Sequence, residues 1–219
     1  MPSYREIVDT AERWREFPAL ERVPRGVALT FDDGPDPDST PAVLDALDAA
    51  GVRATFFVVG EQLMRHHALA REALARGHEL GLHGFGHERH SDLPGRLAAD
   101  DVARGLGTFE AAVGRRPRCY RPPYGAFNAA SYAACMDLGM EPIYWSDWGL
   151  DWETVGAGRI ADLVARDWWD GAIVLLHDSP RYAPRENALA TAEAIPLIAE
   201  RASAAGLSLG PLAELAQLD

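Results

Sequence analysis

The sequence predicts an α/β fold whose parallel strands curl into a (β/α) barrel. Short apolar runs alternate with longer segments of helical periodicity along the chain. Such alternation requires crossovers, and crossovers make the strands parallel. The acidic, imidazole and aromatic residues that stand out chemically fall at, or just after, the ends of the apolar runs. That is the end at which a (β/α) barrel carries its chemistry.

The elements follow in order. Tyr4, Ile7, Val8, Ala11, Trp14 and Phe17 fall near helical spacing, which predicts a helix over 3–17 and a helical extension over 1–25. Val27 to Phe31 read as a buried strand stopped by Gly34 and Pro35. A helix over 41–50 is expected, with Thr40 as its cap, Pro41 in its first position and Gly51 ending it. Ala54 to Val59, rich in β-branched and aromatic residues, form the second strand, and a helix over 61–76 ends at Gly77. A third strand around 78–83 delivers His83. Helix 96–113, strand 117–121, helix 128–138 and strand 140–145 come next, then a loop over 146–158. Helix 159–168, strand 172–177, helix 186–205, strand 206–209 and helix 211–217 complete the chain, read as one domain over 1–219. No repeat, linker or low-complexity segment interrupts it.

Composition narrows the function classes. A chain of 219 residues, 47% hydrophobic and 25% charged, can bury a sizeable core. No apolar run approaches the ~20 residues of a membrane span. The N-terminus lacks the apolar core of a signal peptide, so the expectation is a cytoplasmic protein, or a secreted one if a leader has been trimmed. The net charge of −12 argues against nucleic acid and anionic membranes as partners. Cys119 and Cys135 imply no disulfide framework and read as buried thiols.

Asp32 and Asp33 end the first strand side by side. Two adjacent carboxylates repel unless a cation or a proton relieves them, so one could hold a metal while the other stays free as a base. Taken alone, they could equally belong to a solvated turn. His83 and His87 stand four apart in Leu80-Gly-Leu-His-Gly-Phe-Gly-His87. Three glycines argue against a helix there and for a turn after a short strand. Two imidazoles and one carboxylate are a ligand set for a catalytic divalent metal with open positions. Tyr120-Arg-Pro-Pro-Tyr-Gly125, Trp145-Ser-Asp-Trp-Gly-Leu-Asp-Trp152 and Ile173-Val-Leu-Leu-His-Asp178 complete the set.

With these motifs in this order, from about Thr30 to Asp178, the chain resembles the NodB-like polysaccharide deacetylases of carbohydrate esterase family 4. The resemblance implies a distorted, incomplete TIM-like barrel of about seven parallel strands. It implies Asp33, His83 and His87 as metal ligands, Asp32 as the general base and Arg121 as its partner. It implies His177 as the general acid tuned by Asp151, and the Tyr124 N–H as an oxyanion donor. Trp152 and Leu175 would line the acetyl pocket. The chain departs from the family at Gly84, where Ser or Thr is usual, and at Trp148, where a second aspartate often stands; Trp148 could stack on a sugar face or pack, and looks like the mark of an actinobacterial subgroup. His90 is an extra candidate, read as a loop residue or a support for the other histidines. Tyr182 and Arg185 could reach substrate from a rim loop, or that loop could be merely solvated.

The expected activity is a metal-dependent deacetylase cleaving the amide of an N-acetylated sugar in a glycan, glycolipid or precursor. The ligand set suits Zn²⁺, with Co²⁺ or Ni²⁺ as alternatives. Another bond, an O-acetyl ester, a formamide or a non-sugar amide, is the competing enzymatic reading, and a glycan-binding pseudoenzyme the non-enzymatic one. The sequence carries no signal for oligomeric state.

Overall fold

A computed structural model describes residues 16–166 and 168–218. Eight strands form one parallel sheet: β1 (Val27–Asp32), β2 (Thr55–Val58), β3 (Glu79–Leu82), β4 (Cys119–Tyr120), β5 (Glu141–Pro142), β6 (Asp147–Trp148), β7 (Ile173–His177) and β8 (Leu209–Gly210). Their order is β5-β4-β3-β2-β1-β7-β6, and β8 pairs with the start of β1. The helices are α1 (Thr40–Ala50), α2 (Gly60–Ala75), α3 (Gly95–Val113), α4 (Ala129–Asp137), α5 (Ala157–Val164), α6 (Leu189–Ala204) and α7 (Leu212–Ala216). This is the expected incomplete (β/α) barrel. All six residues of β1 are buried, as a central parallel strand covered on both faces should be.

Residues 20–23 lie across the opening of the curled sheet. Leu20 bridges Ile143 beyond β5, and Arg22 bridges Ala172 before β7. The Leu20 and Val23 N–H groups donate to Pro142 and Gly171 carbonyls, both at 2.9 Å. The helix expected over 3–17 lies almost wholly outside the described residues, and 16–25 contains no helix. Pro18 and Pro24 lack a donor N–H, and the backbone between them is committed to these bridges.

Three other expectations are corrected. Thr40 opens α1, and Ser39 takes the flanking position. The Thr40 hydroxyl is engaged elsewhere, accepting from Asp36 N at 2.8 Å and donating to Asp178 Oδ2 at 2.5 Å. Residues 147–148, expected in a loop, form β6 against β7, a pairing too short to leave a periodic trace. The helix expected from 186 starts at Leu189: the Ala188 N–H donates to Ser39 Oγ at 3.1 Å, and the Leu189 N–H to Asn187 Oδ1 at 3.0 Å. Cys119 and Cys135 are buried and free. No helix among the described residues is long and apolar enough to cross a membrane.

Candidate active site

Register assembles the site. Pairing of β1 with β7 sets Thr30 beside Leu175 and Asp32 beside His177, so these four side chains share one face. Arg121 follows β4 and is fully buried. Its Nη1 donates to Asp32 Oδ1 and Thr30 Oγ1, each at 2.7 Å, and Nη2 donates to the Tyr144 carbonyl at 3.0 Å. The guanidinium also lies 4.1 Å from the centre of the Phe57 ring. A buried cation with this many partners stays in place and fixes the Asp32 side chain against it.

Asp33, His83 and His87 converge next to it. One ligand atom from each lies within 4.8 Å of the others, and all three residues are buried. Asp33 Oδ1 is 3.0 Å from His87 Nε2 and 3.6 Å from His83 Nε2. Asp33 and His87 hold left-handed backbone conformations, at φ 82° and 53°, which non-glycine residues adopt where the fold dictates them. Gly34 is required beside them: a Cβ there would meet Asp178 Oδ2 at 2.1 Å, and that carboxylate accepts the Gly34 N–H at 3.1 Å. Burial lifts the Asp178 carboxyl to about 7, with Asp33 adding to the rise against the Thr40 bond.

The donor set fits a divalent metal. His83 Nδ1 is 2.7 Å from the Arg121 carbonyl, which assigns the proton to Nδ1 and leaves the Nε2 lone pair facing Asp33. Burial pushes the His83 value down to about 4, so the ring is neutral at pH 7. Burial alone would raise Asp33, but His87, His177 and His83 outweigh it and hold the carboxyl below its usual range. No backbone or hydroxyl donor among the described residues reaches the buried Asp33 Oδ1; the His87 and His83 imidazoles face it, an arrangement suited to a shared cation. His87 is oriented by rings: Tyr182 stacks on it at 3.8 Å and 8°, and Tyr124 meets it edge-on at 4.6 Å. Replacing His83 by Ala should lower Zn²⁺ affinity by more than about 100-fold and leave the Asp32–Arg121 pair intact; calorimetric titration of metal-free protein checks this.

An imidazole–carboxylate pair lies at the end of β7, in register with Asp32. His177 Nδ1 is 2.9 Å from Asp151 Oδ1, and the His177 N–H donates to Asp151 Oδ2 at 2.8 Å. Thr191 Oγ1 donates to the same Oδ2 at 2.7 Å. Arg185 lies beneath the pair, bonding to the Asp151, His177 and Ser179 carbonyls and to Thr191 Oγ1. Its side chain is 5% exposed, so it supports the site rather than meeting substrate. Burial disfavours charge on His177, but Asp151, then Asp33 and Asp32, raise its value to about 9.

The remaining predicted residues frame the space. Trp152 meets His177 edge-on at 5.5 Å. Leu175 is nearly covered, and Trp148 pairs with it across β6 and β7. Tyr124 is 41% exposed, at φ 57° in a short 3₁₀ turn, with the Arg89 guanidinium 4.5 Å above its ring. The turn's own bonds run from Gly125 and Ala126 to Pro122 and Pro123, and they do not use the Tyr124 N–H. Sequence reasoning missed Arg185 and Thr191 as supports, and Tyr182 as the face of His87. It also missed Asp101, which holds the glycine loop through Phe85, Gly86 and His90.

A carboxylate and an imidazole beside a three-ligand cluster are the groups with which a metal-dependent hydrolase can separate proton acceptance from proton donation. Comparison with known proteins narrows that class. Residues 20–143 match the polysaccharide deacetylase family, more than half of the chain, and the chain belongs to that family. A peptidoglycan-N-acetylglucosamine deacetylase of Bacillus cereus is 36% identical over 177 residues, 80% of this chain and 81% of that protein. A chitooligosaccharide deacetylase of a Bradyrhizobium species is 38% identical over 164 residues, 74% of each. The crystal structure of a peptidoglycan N-acetylglucosamine deacetylase bound to a naphthyl-substituted N-hydroxybenzamide superimposes with a TM-score of 0.84. It is 26% identical, and the match covers 91% of this chain and 92% of that one.

Proposed function

We propose that this chain is a metal-dependent deacetylase that hydrolyses the acetamide of N-acetylglucosamine units in a glycan. The observation that carries the reading is the gathering of Asp33, His83 and His87 in one buried cluster, with the Asp32–Arg121 and His177–Asp151 pairs beside it. The relatives named for peptidoglycan and chitooligosaccharide substrates support the sugar.

Asp33, His83 and His87 would hold one divalent ion, Zn²⁺ by ligand type with Co²⁺ and Ni²⁺ also suited, and the ion would activate water and polarise the acetyl carbonyl. Asp32 receives the proton of the attacking water, and Arg121 orients it through the 2.7 Å bond to Oδ1. The new C–O bond forms as carbonyl charge moves to oxygen, to which the Tyr124 N–H would donate. His177 gives its proton to the sugar nitrogen as the C–N bond breaks, so acetate and the free amine leave. Trp152 and Leu175 present apolar surface to the acetyl methyl.

The proton donor sets a pH dependence. His177 works only while protonated, so kcat/KM falls as pH rises through its value. A bound cation nearby moves that limb below the 9 or so of the metal-free protein. The same shift stabilises the metal-free fold fully below 6.5, the ordinary histidine value, and this contribution is lost as pH rises through about 9. A pH profile of kcat/KM that stays flat beyond that value contradicts the assignment.

Substrate class is tested by acetate release from GlcNAc oligomers, peptidoglycan fragments, a GlcNAc glycolipid and acetylated xylan. Release from a GlcNAc member is expected. Release from xylan alone would move the reading to an O-acetyl esterase.

A further inference from the structure

The loop between His83 and His87 is held from two sides: its Gly84 and Phe85 carbonyls accept the Gly60 and Glu61 N–H groups at 3.0 and 2.9 Å, and its own N–H groups donate to one carboxylate. Asp101 lies on α3 and is 8% exposed. Its Oδ2 accepts the Phe85 N–H and its Oδ1 the Gly86 N–H, both at 2.9 Å. A third donor, His90 Nε2, stands 3.1 Å from Oδ2, and His90 is fully buried. The His90 carbonyl accepts from Asn128 Nδ2 at 2.7 Å, and Asn128 caps α4. One carboxylate thus ties the loop to two helices.

Gly84 explains why the loop needs this. It sits at φ 73°, and a Cβ there would stand 2.7 Å from Asp101 Oδ2 and 3.3 Å from Pro123 Cγ. A serine or threonine, usual at this place in the family, cannot enter without displacing Asp101. The carboxylate occupies the space that such a side chain would take, and it is the acceptor for two part-buried loop N–H groups.

We infer that Asp101, supported by His90, is a positioning residue for the metal centre, fixing residues 84–86 and through them the relative placement of His83 and His87. The inference rests on the reading of Asp33, His83 and His87 as the metal site. Asp101 touches none of the three ligands, so its effect reaches the metal only through the loop backbone. An asparagine of the same shape would keep one acceptor but turn an NH₂ toward a backbone donor, which breaks the clasp with little change in packing.

The test measures Zn²⁺ affinity by chelator competition and the visible absorption of the Co²⁺-loaded protein. Asp101→Asn should bind Zn²⁺ about 10–100-fold more weakly, the range for groups that orient metal ligands, and should shift the Co²⁺ bands. Gly84→Ser should also weaken binding. In the cycle of Gly84→Ser, Asp101→Ala and the double variant Gly84→Ser/Asp101→Ala, the double variant lacks the clash with Asp101, so its loss should be smaller than the sum of those two single losses. That coupling is readable even if Asp101→Asn folds poorly. Wild-type affinity and unchanged Co²⁺ bands in Asp101→Asn, or additive losses in the double variant, would overturn the inference while leaving the metal site standing. A wild-type protein that binds no Zn²⁺ would overturn the site reading itself, and this inference with it.

Discussion

Asp32→Asn should lower kcat for GlcNAc deacetylation by roughly 10²–10⁴-fold, the span ascribed to a positioned general base, while Zn²⁺ binding stays within a few-fold of wild type. The reason is geometric. Asp32 Oδ1 is taken up by Arg121, and Oδ2 lies 3.7 Å from His83 Nε2, at the edge of the ligand cluster rather than within it. The amide keeps the shape and can still accept from Arg121, so the fold and the three ligands are undisturbed. What is lost is an anionic oxygen able to take a proton. Turnover is followed by acetate release and metal content by titration on the same preparation. Undiminished turnover would mean that another group is the base. Lost metal would mean that Asp32, and not Asp33 alone, is a ligand.

Arg121→Ala should be the most destabilising single change at the site. It leaves Asp32 buried without its cation and removes the donor to Thr30 Oγ1 and the Tyr144 carbonyl. Breaking a buried ion pair from one side costs about 3–5 kcal/mol, a large share of the roughly 5–15 kcal/mol that holds a typical domain folded. The loss of the flat guanidinium over Phe57 adds a cavity. Most of this cost comes from the uncompensated charge, so the double variant Asp32→Asn/Arg121→Met should recover a substantial part of it. Urea unfolding of the single and double variants checks both statements. An Arg121→Ala protein as stable as wild type would show that Asp32 does not depend on this partner.

The sequence revealed those parts of the site that each arise within one short segment. Asp32 and Asp33 could be read because Val27 to Phe31 is an unbroken apolar run, and the strand it forms ends at Asp32. His83 and His87 could be read because glycines surround them and a strand precedes them. His177 closes an equally apolar run. The supports were not legible, because each joins residues far apart in the chain. Thr191 reaches Asp151 across 40 positions and Arg185 across 34. In sequence, Arg185 is one more charge in a polar loop. Asp101 looked like any polar residue of an amphipathic helix, and only its distance to Phe85 N and Gly86 N separates it from Asp100 beside it. Strand β6 was missed because two ladder positions, one filled by Asp147, leave no alternation to detect. Gly84 was visible as a departure from the family, but neither its left-handed φ nor the α3 carboxylate that fills the space beside it could be read from the sequence.

The central claim is that one divalent ion held by Asp33, His83 and His87 switches on hydrolysis carried out by Asp32 and His177. Its most direct test is acetate release from a GlcNAc oligomer by metal-stripped protein, before and after one molar equivalent of Zn²⁺. The account predicts no release beforehand and full release on reaching one equivalent. Equal release without metal would contradict it.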